Sequence, residues 1–410
     1  MKILVVSQYF WPEDFLINDF VLGLCARNHE VEILTGLPNY PSGHFFSGYG
    51  YSGPYREDYH GIPVWRSPLI PRGNSSGLQL VINYFSFAFL ACVRGFLSCY
   101  RPFDIILFFQ LSPIMVSIPA RMMKRLTGAK MFCWVQDLWP ESLAATGSVR
   151  SESMLNWAGK LTQWTYRGCD RILIQSEAFR DSVLKYGAEL NKIRYFPNCA
   201  ENIFLPIDVT TEAPERDLMP EGFRVMFAGN IGISQDFETI LAAASLTGSR
   251  SGIQWVIVGD GRYRPWVERE IQSRALTNVH LLGRYSKEKM PVFFSLADVM
   301  LVSLKREPIF SLTVPSKIQA YLACGKPILA SLDGEGARII QEAQAGLTVP
   351  AETPHELAEA VLQMAALDPK LLQAMGRNAR KYYETHFSRT HLLDQFEVWL
   401  HEACCNSDNI

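Results

Sequence analysis

Short runs of β-branched and apolar residues recur along the chain with helical stretches between them, and no other feature narrows its fold as much. Strands joined by crossover helices pair in parallel, because a tight hairpin would reverse the chain. In the first half the runs are Lys2–Ser7, Glu30–Thr35, Pro63–Ser67, Asp104–Phe109, Lys130–Val135, Arg171–Gln175 and Lys192–Phe196. They predict one doubly wound, Rossmann-like sheet. The alternation falters over 207–222, where acids, Thr and Pro replace the apolar periodicity and mark a linker. It resumes with Arg224–Ala228, Gln254–Val258, Val279–Leu282, Val299–Ser303, Pro327–Ala330 and Leu347–Val349, which predict a second sheet of the same kind. Helical patterns over Pro369–Thr385 and Arg389–Cys404 come next, the second with Leu392, Leu393, Phe396, Trp399 and Leu400 on one face. The expected fold class is therefore α/β: a Rossmann-like domain over 1–206, with helix 389–410 packing back on it, and another over 207–388. Ligands of such sheets bind outside the carboxyl ends of the strands, which places the expected site in a cleft between the domains.

Composition supports a packed chain and excludes some partners. Of 410 residues, 48% are hydrophobic and 20% charged, the balance of a globular protein. Lys plus Arg number 39 against 41 Asp plus Glu, so whole-chain charge makes no case for nucleic acid. Cysteines at 25, 92, 99, 133, 169, 199, 324, 404 and 405 form no Cys-x-x-Cys pair, which suits reduced thiols in the cytosol. The apolar run Ile3–Val6 is too short for a secretory signal. Leu78–Val93, 16 residues with Asn83 inside, falls short of the roughly 20 residues that span a bilayer.

Four motifs carry candidate chemistry. Residues 223–234, FRVMFAGNIGIS, read as a buried strand running into Gly229, Asn230 and Gly232, with Ile233 and Ser234 opening a helix. Glycines there let backbone N–H groups approach a phosphate, or simply make a tight turn. Val256–Gly261 repeats the design around Gly259, and Gly283-Arg284-Tyr285 comes after another strand with a loop suited to a base edge. Pro315-Ser316-Lys317 reads as a helix start with Pro in its first turn and a lysine able to neutralise a diphosphate. In the first half Asp137 ends the strand of MFCWVQDLWPE. Its carboxylate could order a hydroxyl nucleophile or a sugar hydroxyl, or cap the next helix.

Taken together, Phe10-Trp11-Pro12-Glu13, Asn28-His29-Glu30-Val31, Pro38-Asn39-Tyr40-Pro41, Gln136-Asp137-Leu138-Trp139-Pro140-Glu141, Pro197-Asn198, Val258-Gly259-Asp260-Gly261 and Ala323-Cys324-Gly325-Lys326-Pro327 resemble glycosyltransferase family 4, of the GT-B architecture. The resemblance is nearest to the subgroup of O-antigen and colanic-acid cluster transferases that includes N-acetyl-L-fucosamine transferases. It implies retaining transfer from a nucleotide-diphosphate sugar, expected to be a UDP-sugar, held by the second domain to an acceptor held by the first; with the membrane-surface reading given below, the expected acceptor is a polyprenyl-diphosphate-linked saccharide. No side-chain nucleophile is implied, since the leaving diphosphate can accept the acceptor's proton. Asp137, Glu307 and Lys317 are the expected catalytic residues. The expected donor-binding set is Gly229, Asn230, Gly232, Ile233, Ser234, Gly259, Gly283, Arg284, Tyr285, Lys305, Arg306, Pro315 and Ser316. No Asp-x-Asp sequence and no His/Cys cluster has ligand spacing, so no metal or other cofactor is expected.

The chain departs from the family pattern in places. Leu312 and Ala320 stand where many members carry a glutamate pair, with Glu307 the expected substitute for the first; Asn230 and Gln235 replace the usual loop cations, leaving Lys305, Arg306 and Lys317 to supply charge. Between Arg66 and Lys130, eight basic residues face one acid, a net of +7 beside an aromatic-rich apolar stretch. That predicts peripheral attachment to the cytoplasmic face of the bacterial inner membrane. A UDP-sugar 2-epimerase of the same fold, or a non-catalytic nucleotide-binding partner, are the competing readings.

Overall fold

The computed structural model describes residues 1–74, 77–145, 151–208, 213–248 and 252–405. Residues 209–212 of the expected linker and 406–410 of the expected terminal helix lie outside the described residues. Two compact units form: Met1–Pro197 with the chain from Leu392 onward, and Asn198–His391. The division thus falls ahead of the segment 207–222.

The first unit holds an eight-stranded sheet: β1 (Lys2–Val6), β2 (Glu30–Gly36), β3 (Arg56–Tyr59), β4 (Ile62–Ser67), β5 (Ile105–Gln110), β6 (Lys130–Val135), β7 (Arg171–Ile174) and β8 (Ile193–Tyr195), ordered β3-β4-β2-β1-β5-β6-β7-β8. Its pairs are parallel except β3 with β4. β1 and β5 are fully buried from Ile3 to Val6 and Ile105 to Phe108, which is why they read as unbroken apolar runs. β3 escapes a reading of apolar runs because Arg56, Glu57 and Asp58 make it a polar edge strand. It is made by a two-residue hairpin whose turn, His60 and Gly61, has φ of 54° and 87°, the geometry that suits the twist of paired strands.

The second unit holds a six-stranded, all-parallel sheet: β9 (Phe223–Ala228), β10 (Ile253–Val258), β11 (Val279–Gly283), β12 (Val299–Ser303), β13 (Ile328–Ser331) and β14 (Gly346–Val349), ordered β11-β10-β9-β12-β13-β14. The chain runs outward from β9 to β11 and then returns to lay β12 on the other side of β9. That reversal is the switch point at which open α/β sheets leave a crevice. The helix expected to open at Ser234 instead starts at Phe237, because Asp236 takes the left-handed conformation (φ 49°) and its carboxylate accepts from Thr239 N at 3.5 Å.

Two helices complete the first unit, one lying half on its surface and one closing its core. Gly77–Cys99 is a single helix of 23 residues, longer than the apolar stretch ending at Val93, and with mean hydropathy 1.7 it is long and apolar enough to cross a membrane by length and composition. One face of it is packed inside the unit: Tyr84, Phe87, Ala88, Ala91, Gly95 and Cys99 are buried, and Asn83 donates to Ile70 O and accepts from Gln8. The helix Arg389–Cys405 belongs to this unit from Leu392 onward, with Phe396 fully buried among Phe20, Phe132 and Phe196 at centroid distances of 5.3, 5.9 and 5.8 Å. Arg27 holds its polar side through Asp394 and, at 2.6 Å, Glu397. Phe396→Ala empties an aromatic cluster, so denaturant unfolding of this unit should lose about 3–5 kcal/mol; a loss below about 1 kcal/mol would mean the helix is only loosely attached.

Candidate functional site

In the second unit a cavity of about 630 Å³ lies against the loops that come after β9, β10 and β11. The loops are laced edge to edge: Gly229 N donates to Val258 O at 2.9 Å, Gly259 N to Gly283 O at 2.8 Å and Ile231 N to Asp260 O at 2.8 Å. Here glycine is obligatory. A Cβ on Gly259, at φ 149°, would stand 1.9 Å from Gly229 O, and one on Gly229, at φ 136°, would stand 2.7 Å from Lys317 Cε. Of the residues expected to bind the donor, Gly229, Asn230, Gly259, Arg284 and Tyr285 line this cavity. Gly283 supplies the carbonyl that holds Gly259, while Gly232 backs the Asn230 side chain. Ile233 is 63% exposed on the next turn, and the Ser234 carbonyl accepts from Lys305 N at 3.0 Å rather than facing the cavity.

The cations separate by their partners. Lys305 reaches Glu238 at 3.4 Å, and Arg306 is held by Asp333 at 3.1 Å and by Ala351 O at 2.7 Å. Their charge is thus already answered within the unit. Lys317, on the helix Ser316–Ala323 that Pro315 caps, differs. Its half-buried ammonium hydrogen-bonds the neutral Gln235 and sits 3.7 Å from the centroid of Phe227; no carboxylate pairs with it among the described residues. Burial holds its pKa well below that of ordinary lysine. Arg284 and Arg262 are likewise exposed on the cavity wall with no acidic partner among the described residues. Arg262 escaped the sequence reading, although its place at the start of the turn after Val258-Gly259-Asp260-Gly261 is a legible signal. Glu307 precedes the helix Pro308–Leu312, exposed, and lines a separate shallow concavity with Arg306 and Asp333 rather than the Gly229 cavity.

In the first unit Asp137 stands just after β6. Ser112 Oγ, after β5, donates to Asp137 Oδ2 at 2.7 Å and itself accepts from Trp139 Nε1 at 3.0 Å. Gln110 Nε2 holds the Asp137 carbonyl at 3.0 Å. The alternative of a helix cap does not apply: the first amides of helix Glu141–Ala145 go to Leu138 O and Pro140 O at 2.8 and 3.0 Å. Asp137 instead lines a second cavity, of about 580 Å³. Glu13, from the opening loop, is buried and accepts from Phe10, Asn39 and Tyr40 amides at 3.2, 2.8 and 2.7 Å, so it ties that loop to the Pro38–Pro41 loop. Among the described residues no group of three or more His, Cys, Asp or Glu side chains is gathered to hold a cation.

The family described as Glycosyl transferase 4-like domain matches residues 17–199, and that described as Glycosyl transferases group 1 matches residues 222–366. The chain belongs to the GT-B glycosyltransferases. The transferase is 26% identical over 416 residues to WcaI of Escherichia coli K12, named for a glycosyl transferase of colanic acid biosynthesis, covering 97% of this chain and 98% of the relative. It is 26% identical over 339 residues to the Pseudomonas aeruginosa glycosyltransferase WbjE, covering 80% and 81%. Among solved structures, Anabaena HepE in complex with UDP shares the fold at TM-score 0.70 and 13% identity, covering 98% of this transferase and 100% of that chain.

Desolvation pushes Glu13 up to about 7, against the lowering effect of its three amide donors. The folded transferase therefore keeps that proton where the unfolded chain has lost it, and stability falls as pH rises from about 4.5 to about 7, by roughly 3 kcal/mol. Glu13→Gln should flatten the melting temperature across this window; an unchanged slope would assign it to another group.

Proposed function

We propose that this transferase moves a sugar from a UDP-sugar, N-acetyl-L-fucosamine being the first to test, onto a polyprenyl-diphosphate-linked saccharide in bacterial surface-polysaccharide biosynthesis. The observation that carries the reading is the glycine-walled cavity flanked by three cations that lack acidic partners among the described residues, Lys317, Arg262 and Arg284. A diphosphate is the ligand such a cradle lacks: glycine loops whose missing side chains leave room for close approach, beside positive charge with no acidic partner among the described residues. The Tyr285 ring, 4.6 Å from Phe293, gives a base an aromatic wall. The name of WcaI and the UDP bound to HepE point the same way.

Chemistry on this reading centres on the leaving group. As the glycosyl bond breaks, negative charge grows on the β-phosphate, and Lys317 neutralises it from a low-dielectric position where one preorganised donor is worth about 3–4 kcal/mol. A leaving phosphate oxygen on the same face takes the proton of the acceptor hydroxyl, giving retention. In the first unit Asp137, fixed by Ser112, is the group suited to order a hydroxyl of the acceptor.

The outer face of Gly77–Cys99 supports attachment to the cytoplasmic face of the inner membrane: Leu78 is 71% exposed, Phe89 69% and Leu97 70%. The +7 span contributes less than its count, because Arg66 pairs with Glu57, Arg101 with Glu32 and Lys124 with Asp170. Arg125 and Lys130 have no acidic partner among the described residues, and they suit anionic headgroups.

Two outcomes are expected. UDP should bind the wild-type transferase with an affinity that calorimetry reads. Lys317→Met should weaken that binding about tenfold or more, and absence of any UDP binding would sink the assignment. The purified transferase should also sediment with vesicles containing phosphatidylglycerol and be released by salt, whereas indifference to anionic lipid would remove the membrane attachment. A donor screen with UDP- and GDP-sugars against undecaprenyl-diphosphate-linked N-acetylglucosamine, read by mass spectrometry, identifies the sugar.

A further inference from the structure

The cavity beside Asp137 is unlike a sugar pocket. Its walls are apolar: Leu80 and Val81 from the helix Gly77–Cys99, Met115 after β5, Trp139, and Met154 and Trp157 from the helix Glu152–Arg167. Phe85 and Trp157, 44% and 46% exposed, meet at 5.8 Å, so the lining continues onto the outer surface of the first helix, where Leu78 and Phe89 are bare. A saccharide carries several hydroxyls around its ring and would leave most of them unanswered here.

One cation interrupts this lining. Arg72 lies along the rings of Tyr40 and Tyr9, 5.1 and 5.8 Å from their centroids, and Nη1 donates to Tyr9 Oη at 3.2 Å. Its Nε is buried and has no hydrogen-bond partner, and no carboxylate pairs with the guanidinium among the described residues. Burial keeps the Tyr9 phenol neutral, so that ring supplies no counter-charge. The same cavity therefore presents an apolar slot, a single guanidinium lacking an anion, and a carboxylate oriented by Ser112.

We propose that this cavity seats the first isoprene units of the polyprenyl-diphosphate acceptor, with Arg72 holding its diphosphate and Asp137 facing the sugar that the diphosphate carries. The assignment rests on the reading of the acceptor as lipid-linked. It favours an isoprenoid diphosphate over a membrane phospholipid because one apolar slot leads from Arg72 and Asp137 to the helix face, which suits a single chain where a membrane phospholipid brings two. The cavity volume of about 580 Å³ lies within the usual range for small-ligand sites, enough for the head of such a lipid while the rest of the chain tracks the bare helix face outward.

The test uses the full chain and farnesyl diphosphate, without UDP. Trp139 and Trp157 stand on the cavity wall, so their emission should shift saturably on titration, while inorganic diphosphate alone leaves it unmoved. By calorimetry Arg72→Gln should weaken farnesyl diphosphate about tenfold or more and leave farnesol unchanged. Val81→Phe, narrowing the slot, should weaken both, with an unchanged melting temperature showing that the unit is intact. Absence of saturable binding, or binding indifferent to both substitutions, overturns the assignment. Equal binding of lysophosphatidylglycerol, unaffected by Arg72→Gln, also overturns it and gives the cavity to membrane lipid. UDP affinity is measured alongside: its retention in a failed lipid test leaves the donor site standing, and its loss in wild type would strike at the transferase reading instead.

Discussion

Parallel pairing obliges every strand of a sheet to end at the same edge, and the chemistry of both units derives from that constraint. In the second unit the edge collects the loops after β9, β10 and β11, and with them Gly229, Gly259 and Arg284. In the first it collects the ends of β5 and β6, and so brings Ser112 within 2.7 Å of Asp137 although 25 positions separate them in sequence. The helices that return the chain are interchangeable in principle. The loops that precede them are not, since a Cβ at Gly229 or Gly259 would collide with Lys317 or with backbone.

Electrostatics then decides which cations can serve a ligand. A cation already facing a carboxylate gains little by exchanging it for a phosphate, whereas a desolvated one with neutral neighbours gains a great deal. Lys305 and Arg306 are of the first kind and Lys317 of the second, although all three are basic residues close in sequence. Arg72 repeats the pattern in the first unit, cushioned by tyrosine rings instead of an acid.

Much of this was legible in the residues alone, for definite reasons. Strands buried on both faces must be apolar nearly throughout, so β1, β5, β6, β10 and β12 announce themselves, and Lys130–Val135 and Val299–Ser303 do so to the residue. β3 does not, because an edge strand tolerates Arg56, Glu57 and Asp58; only the His-Gly turn betrays it. The glycine turns and Asp137 were visible as motifs, since conformation and chain position alone restrict them. What a side chain pairs with was not. The partners of Arg306 are 27 and 45 positions away, the acid that answers Arg101 is 69 positions away, and a net charge of +7 counted along the chain says nothing of how much is neutralised in space. The expected role of Glu307 likewise rested on alignment to a pattern, and the fold sets that residue in a different concavity.

The helix Arg389–Cys405 has a consequence for how the molecule is made. It completes the aromatic cluster of Phe20, Phe132 and Phe196, yet it leaves the ribosome after the whole of the second unit. Domains ordinarily fold in the order of synthesis. Here the unit begun first is finished last, and during translation its apolar groove waits uncovered while nearly two hundred residues of the other unit emerge and close upon themselves. Any nonsense change late in the gene would therefore damage the amino-terminal half of the protein, not merely its tail.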